Sequence, residues 1–99
     1  GPRRTLPLVA RFADMWHTDS LADYRRLSAR VDDLAAAASR DPAEIGRASS
    51  LSLSEPWDEV RRNAETRRDL GMDYLVCSWP GQGRARVEEF WMKVAPEFA

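Results

Sequence analysis

Helical and extended segments alternate along this chain, and the alternation restricts the fold more than any other feature of the sequence. Apolar residues recur at helical spacing in four stretches, and three short extended stretches separate them. This order predicts an α/β fold with parallel strands and covering helices, because a crossover helix is the usual connection between parallel neighbours. With 99 residues, the chain (1–99) holds one domain at most. The order alone leaves open whether the sheet is open or closed into a barrel.

Each predicted helix has a start or stop signal. In the first helix we expect Pro7 in the first turn, where a missing N–H is tolerated. Asp19 or Ser20 is expected to cap the second helix. Ser54 is expected to cap the third helix, and Gly71 is expected to end it. The predicted helices cover approximately 4–13, 21–40, 56–70 and 84–95.

Three short strands are expected between the helices, at 15–17, 48–53 and 74–78. The last of these, YLVCS, is nearly continuous and apolar, which predicts a strand that is covered on both faces. Cys77 lies within this strand, so we expect a buried and unreactive thiol. In the last helix, Phe90 and Trp91 are expected to face the core.

Composition and charge exclude several classes of function. The net charge is −1, and acidic residues interleave with basic ones, so neither nucleic acid nor an anionic membrane is an expected partner. A single cysteine, Cys77, provides neither a disulfide framework nor a thiolate metal site. The chain shows no secretory signal and no apolar run long enough to cross a bilayer. These features favour a cytoplasmic protein.

The first candidate site is the opening segment, GPRRT. A helix that starts after a glycine offers unpaired N–H groups and the positive end of its dipole to a phosphate, and two arginines add charge. The alternative is a frayed terminus, or a remnant of a cleaved tag. The candidate residues for binding an anionic cofactor are Gly1, Pro2, Arg3, Arg4 and Thr5.

A second candidate site lies at Trp16 and His17, which end a predicted strand. Sites in parallel α/β folds lie at the carboxyl ends of strands, so this pair is a candidate for the rim of a substrate pocket. Because His17 is the only histidine, a histidine cluster is excluded. The alternative is an exposed loop residue with no function. The serines at 49, 50 and 52 lack a nucleophile elbow, and no base is evident near them, so nucleophilic catalysis is not expected.

Several stretches of the chain, in order, are similar to motifs of one known family. LVARFADMWH at 8–17 is similar to the signature LAARYADGWN, and SRDPAEI at 39–45 stands where GRDPAEI is common. LGMDYLV at 70–76 resembles AGVDHLIL, and the closing VEEF and VAP resemble a last barrel helix. Together these stretches resemble the carboxyl-terminal part of the luciferase-like monooxygenase family. Met15 replaces the family's usual glycine, and His17 replaces its usual asparagine.

The resemblance implies the last three strands and four helices of a (β/α)8 barrel, with the upstream part of the barrel absent from this sequence. It also implies a flavin- or deazaflavin-dependent oxidoreductase or monooxygenase, using coenzyme F-420 or FMN on a small organic substrate. The segment 1–5 would lie at the cofactor phosphate, and Trp16 and His17 would lie near the pocket. No catalytic residue is assigned, and the 99 residues alone are expected to be inactive and to self-associate, because three strands of a barrel leave two open edges. The rival hypothesis is a non-catalytic α/β module that self-associates through its open strand edges.

Overall fold

A computed structural model describes residues 2–98, and the side chains of residues 4–98. It is an α/β structure with four helices and three parallel strands, as the alternation predicts. Two short 3₁₀ turns, Pro42–Glu44 and Ala95–Phe98, complete the structure. The elements in chain order are α1 (Pro2–Phe12), β1 (Met15–His17), α2 (Tyr24–Ala37), β2 (Gly46–Leu51), α3 (Trp57–Leu70), β3 (Tyr74–Cys77) and α4 (Arg84–Lys93).

The sheet keeps the order of the chain, β1-β2-β3, with both pairs parallel. His17 pairs with Ala48, which in turn pairs with Tyr74. Because side chains alternate along a strand and paired residues point to the same side, these three residues share one face of the sheet. The same face carries Met15, Ser50 and Val76, and the opposite face carries Trp16, Arg47, Ser49, Leu51, Leu75 and Cys77.

All four helices pack on the face that carries Trp16 and Leu51. Trp16 belongs to a buried cluster with residues of α1 and α2, such as Leu6 and Val31. Leu51 belongs to a second cluster, in which Val60 of α3 is buried and residues of α4 are packed against it. We call the other side of the sheet the uncovered face; it is formed by Met15, His17, Ala48, Ser50, Tyr74 and Val76. Tyr74 and Val76 are each about half exposed there.

The first two helices begin at other residues than the sequence suggests. Helix α1 begins at Pro2, so Pro7 lies inside the helix and not in its first turn. Helix α2 begins at Tyr24, preceded by Asp23, whose side chain makes no capping hydrogen bond. The predicted cap at Asp19 is therefore wrong, because that carboxylate binds the end of a neighbouring strand instead. The apolar stripe of α2 is correct, with Tyr24, Leu27, Val31 and Ala35 buried.

In the central part of the chain, β2 begins two residues earlier than predicted, so it includes Arg47. Helix α3 begins at Trp57, and Ser54 does not cap it; Pro56 occupies the position before the helix. Gly71 ends the helix in the left-handed conformation, with φ of 94°, as predicted. A side chain would be strained at this angle, which explains the glycine.

Three predictions for the last part of the chain are wrong. Strand β3 is covered on one face only, and Cys77 is exposed rather than buried. Trp91 points to solvent and is 74% exposed, although Phe90 is partly buried as expected. Helix α4 is held instead by Arg86, which donates to the backbone oxygens of Leu53 and Glu55 and lies over the ring of Trp57. The aliphatic contacts of Val94, which is fully buried, complete this attachment.

Candidate functional site

The carboxyl ends of β1 and β2 bring four polar side chains together. His17 ends β1, Ser49 and Ser50 lie near the end of β2, and Asp19 lies in the loop that follows β1. We call these four residues the polar cluster. His17 and Ser50 are on the uncovered face, so their part of the cluster opens toward the side of the sheet that no described helix covers, whereas Ser49 is buried on the opposite face.

Asp19 is the centre of the polar cluster. Its Oδ1 accepts hydrogen bonds from the N–H of Ser50 at 2.8 Å and from the hydroxyl of Ser49 at 3.1 Å. Its Oδ2 accepts from the hydroxyl of Ser50 at 3.3 Å. The last peptide groups of a strand have no ladder partner beyond them, so a carboxylate at this position satisfies donors that would otherwise need water.

His17 contacts the same serine. Its Nε2 lies 3.2 Å from the Ser50 hydroxyl oxygen and 3.9 Å from Oδ1 of Asp19. The expectation that no base lies near the serines is therefore wrong. The arrangement nevertheless differs from a nucleophilic triad, in which the carboxylate holds the second nitrogen of the imidazole. Here the carboxylate and the serine are both near the same nitrogen, Nε2.

Arg67 of α3 binds the backbone of the polar cluster. Its Nε donates to the carbonyl oxygen of Ser50 at 2.9 Å, and its Nη1 donates to the carbonyl oxygen of Asn63. The guanidinium thus fixes the carboxyl end of β2 to α3. Since this bond uses the backbone of Ser50, it leaves the serine hydroxyl free to bind Asp19 and His17.

The hydrogen bonds to Asp19 lower the pKa of its carboxyl below the ordinary value of 3.8. The N–H of Ser50 has the largest effect, which partial desolvation opposes, while the two serine hydroxyls and the nearby His17 lower the pKa further. At neutral pH Asp19 is therefore an anion that only accepts hydrogen bonds.

The lowered pKa of Asp19 predicts a loss of stability in acid. Its contribution is complete at pH values above 3.8, the ordinary value, and disappears as the pH falls through the lower folded-state pKa. We therefore expect the difference in unfolding free energy between the wild type and Asp19→Asn to shrink below this pH. Urea titrations across the acid range measure it. Asp33→Asn, at an exposed position of α2, is the matched control; a difference that does not change with pH would contradict the assignment.

The structure separates the two residues of the second sequence-predicted site. Trp16 is 7% exposed and lies on the helix-covered face, where its ring stacks on Tyr24 with 5.9 Å between centroids. The guanidinium of Arg47 lies 6.0 Å from the same ring. His17, the next residue, points to the uncovered face. Trp16 thus packs in the core, while His17 belongs to the polar cluster.

The first sequence-predicted site, the segment 1–5, lies only partly within the described residues. Gly1 and the side chains of Pro2 and Arg3 are outside them, and Arg4 and Thr5 are exposed on α1. Thr5 lines a cleft of about 340 Å³ between α1 and the loop after β1. The cleft is also lined by Leu6, Trp16, Thr18, Ser20, Asp23, Arg26 and Leu27.

Sequence reasoning missed one buried charged residue, Arg47. Its guanidinium lies among Ser28 and Asp32 of α2 and the backbone near Ile45, and the Nη2 to Asp32 Oδ1 distance is 2.7 Å. It also donates to the Ser28 hydroxyl and to the carbonyl oxygens of Ser28, Ile45 and Pro42. The spacing of apolar residues contains no signal for such a residue. The predicted strand begins at residue 48, so Arg47 was outside it and nothing in the sequence marked this residue as buried.

Comparison with known proteins does not identify a function for this chain, and neither does a search for metal-binding side chains. A scan against models of known protein families finds no match for this sequence, and a search of curated proteins finds none either. Among residues 2–98, no group of three His, Cys, Asp or Glu side chains is arranged to hold a metal ion. Within the same part of the chain, no helix has the length and apolarity needed to cross a membrane. The function is therefore inferred from the sheet and the polar cluster.

Proposed function

We propose that this chain is the carboxyl-terminal part of a (β/α)8-barrel oxidoreductase of the luciferase-like type, which uses coenzyme F-420 or FMN on a small organic substrate. The observation that carries the proposal is the one-sided covering of the parallel sheet. The polar cluster is at the carboxyl ends of the strands and opens toward the uncovered face. Active sites of parallel barrels lie at this end of the strands.

One-sided covering favours a barrel over an open sheet. A doubly wound sheet has helices on both faces, whereas a barrel has helices outside and side chains packed inside. Consecutive strands of a barrel are neighbours in chain order, which is also the order β1-β2-β3 observed here. In the proposed barrel, the half-exposed Tyr74 and Val76 point to the interior, where further strands bury them.

The cleft beside α1 suits the phosphate end of the cofactor. Thr5, Thr18, Ser20 and Arg26 are among its lining residues, and they carry hydroxyl and guanidinium groups of the kind that bind phosphate oxygens. Arg26 also pairs with Asp23 at 3.3 Å, which holds the guanidinium near the cleft. Arg4 directly precedes Thr5 in the sequence and is proposed to add a further positive charge for the phosphate. When bound, the cofactor supplies hydride transfer or oxygen activation, and this chain supplies binding and orientation.

The polar cluster is proposed to face the substrate. His17 and Ser50 offer a ring nitrogen and a hydroxyl on the interior side of the barrel, close to the strand ends. Met15 and His17 replace the glycine and the asparagine of the family signature that this segment resembles. For this reason we do not carry over the substrates of family members to this chain. The single cysteine and the resemblance both favour a cytoplasmic enzyme.

A cofactor titration tests the phosphate site. In the full-length natural protein, we expect the double variant Arg3→Ala, Arg4→Ala to bind coenzyme F-420 or FMN at least about tenfold more weakly, since one charge-assisted hydrogen bond contributes about 1.5–3 kcal/mol. Quenching of cofactor fluorescence measures the affinity. Turnover at saturating cofactor should survive, because these residues hold the tail and not the reacting atoms.

The matched control for this titration is Arg25→Ala, Arg62→Ala, which removes two exposed arginines on α2 and α3. If neither cofactor binds the wild-type protein, the oxidoreductase proposal fails. If the cofactor binds and the two double variants behave alike, only the phosphate assignment fails. The two outcomes are therefore distinguishable.

A second candidate function is a non-catalytic module that self-associates. The uncovered face favours it, because Tyr74, Val76 and Met15 expose apolar surface there, and β1 and β3 each have an edge that pairs with no other described strand. We expect the 99-residue chain to sediment as concentration-dependent oligomers. Val76→Lys should shift it toward monomer, whereas the control Leu8→Lys, on the outer side of α1, should not. A wild-type monomer at all concentrations would rule this candidate out.

A further inference from the structure

The hydrogen-bond geometry of the polar cluster gives the two ring nitrogens of His17 different surroundings. The carboxylate of Asp19 is ionised and accepts from the Ser50 hydroxyl at 3.3 Å. A hydroxyl has one proton, so once it donates to Asp19 its oxygen can only accept from other neighbours. The nearest such neighbour is Nε2 of His17, at 3.2 Å. With the hydroxyl proton directed to Asp19, the donor in this contact is an N–H at Nε2.

A second contact also favours a proton on Nε2 of His17. Nε2 lies 3.9 Å from Oδ1 of Asp19, so the negative charge of the carboxylate is on the Nε2 side of the ring. Arg67 donates to the carbonyl oxygen of Ser50 and so does not compete for the serine hydroxyl. Among the described residues, no group makes a hydrogen bond to Nδ1 of His17.

We infer that Asp19, acting through Ser50, holds His17 in the Nε2–H tautomer, so that the neutral ring presents a free Nδ1 lone pair at the strand ends. Nδ1 is then the hydrogen-bond acceptor for a ligand that donates a proton, such as a substrate hydroxyl. Asp19 and Ser50 are positioning residues, and His17 is the residue that contacts the ligand. This inference concerns one ring and its neighbours, and it is independent of the cofactor.

The tautomer can be measured directly because His17 is the only histidine in the chain. In protein labelled with ¹⁵N-histidine, at a pH where the ring is neutral, the two ring nitrogens report which one carries the proton. We expect Nε2 to be protonated and Nδ1 to be bare in the wild type. An imidazole in water already prefers this form, so the decisive result is a wild-type preference stronger than that of Ser50→Ala and Asp19→Asn.

Two further variants separate the hydrogen-bond relay from a general effect of mutation. Ser52→Ala removes a serine hydroxyl outside the polar cluster, one that accepts only from the N–H of Ser54, and should leave the tautomer unchanged. Ser50→Thr keeps the hydroxyl and should restore the wild-type ratio. A wild-type ring with its proton on Nδ1, or a Ser50→Ala ratio equal to that of the wild type, would overturn the inference.

Discussion

Replacing Trp16 with alanine is expected to lower the free energy of unfolding by about 3–5 kcal/mol, the usual cost of deleting a large buried aromatic side chain. The indole is 7% exposed, stacks on Tyr24 and lies beside Arg47. It joins β1 to α2, so its loss leaves a cavity between strand and helix. Urea unfolding of the wild type and the variant measures the change.

Trp91→Ala is the matched control for this prediction. The same side chain is removed, but Trp91 is 74% exposed on α4, so we expect a change within about 0.5 kcal/mol. If the two variants lost equal stability, the assignment of Trp16 to the core and Trp91 to the surface would be wrong. The spacing of apolar residues in the last helix predicted the opposite for Trp91.

The second large effect is expected from Arg47→Ala. The substitution removes the donor to the carbonyl oxygens of Ile45 and Pro42 and to the Ser28 hydroxyl, and it breaks the 2.7 Å pair with Asp32. We expect a loss of about 3 kcal/mol, at the lower end of the range for breaking a buried ion pair, because Asp32 remains half exposed. Arg47→Lys should recover less than half of it, since one ammonium group cannot reach all these acceptors.

The control for Arg47 is Arg62→Ala, at an exposed position of α3, for which a change within about 0.5 kcal/mol is expected. Both variants have the same change in net charge, so a general charge effect cancels in the comparison. An Arg47→Ala protein as stable as Arg62→Ala would show that solvent replaces the guanidinium without cost.

The sequence predicted those parts of the fold that depend on local spacing. The stripe of Tyr24, Leu27, Val31 and Ala35 is a one-face pattern of α2, and Gly71 is a stop that only a glycine satisfies easily. The three parallel strands also followed from the alternation of elements. In each case a few residues that are close in the sequence are enough to predict the local structure.

Features that depend on distant neighbours were not predictable in the same way. The apolar residues of YLVCS indicate a strand that prefers burial, but they do not indicate which helices cover it. The exposure of Val76 was therefore not predicted. Asp19 resembles a helix cap in sequence, yet the adjacent end of β2 offers it three donors. The competition between these two roles becomes apparent only when the strands are side by side.

In the candidate site, too, the features set by local sequence were predictable and those set by distant residues were not. His17 at a strand end was recognisable, because its position relative to the strand is local. Its partner Ser50 is 33 residues away, and only the pairing of β1 with β2 brings the two together. Without that pairing, the serines had no visible base.

The presence of two separate buried clusters has a consequence for how the molecule opens. One cluster joins α1, β1 and α2, the other joins the end of β2 to α3 and Val94, and the molecule is 45 Å long but only 25 by 21 Å across. Helix α4 has no buried residue of its own, so its end of the molecule should undergo sub-global unfolding first. Fraying confined to α4 would leave His17, Asp19 and Ser50 in place, because the hydrogen bonds described for them come from β1, β2, the loop after β1 and α3, and none comes from α4.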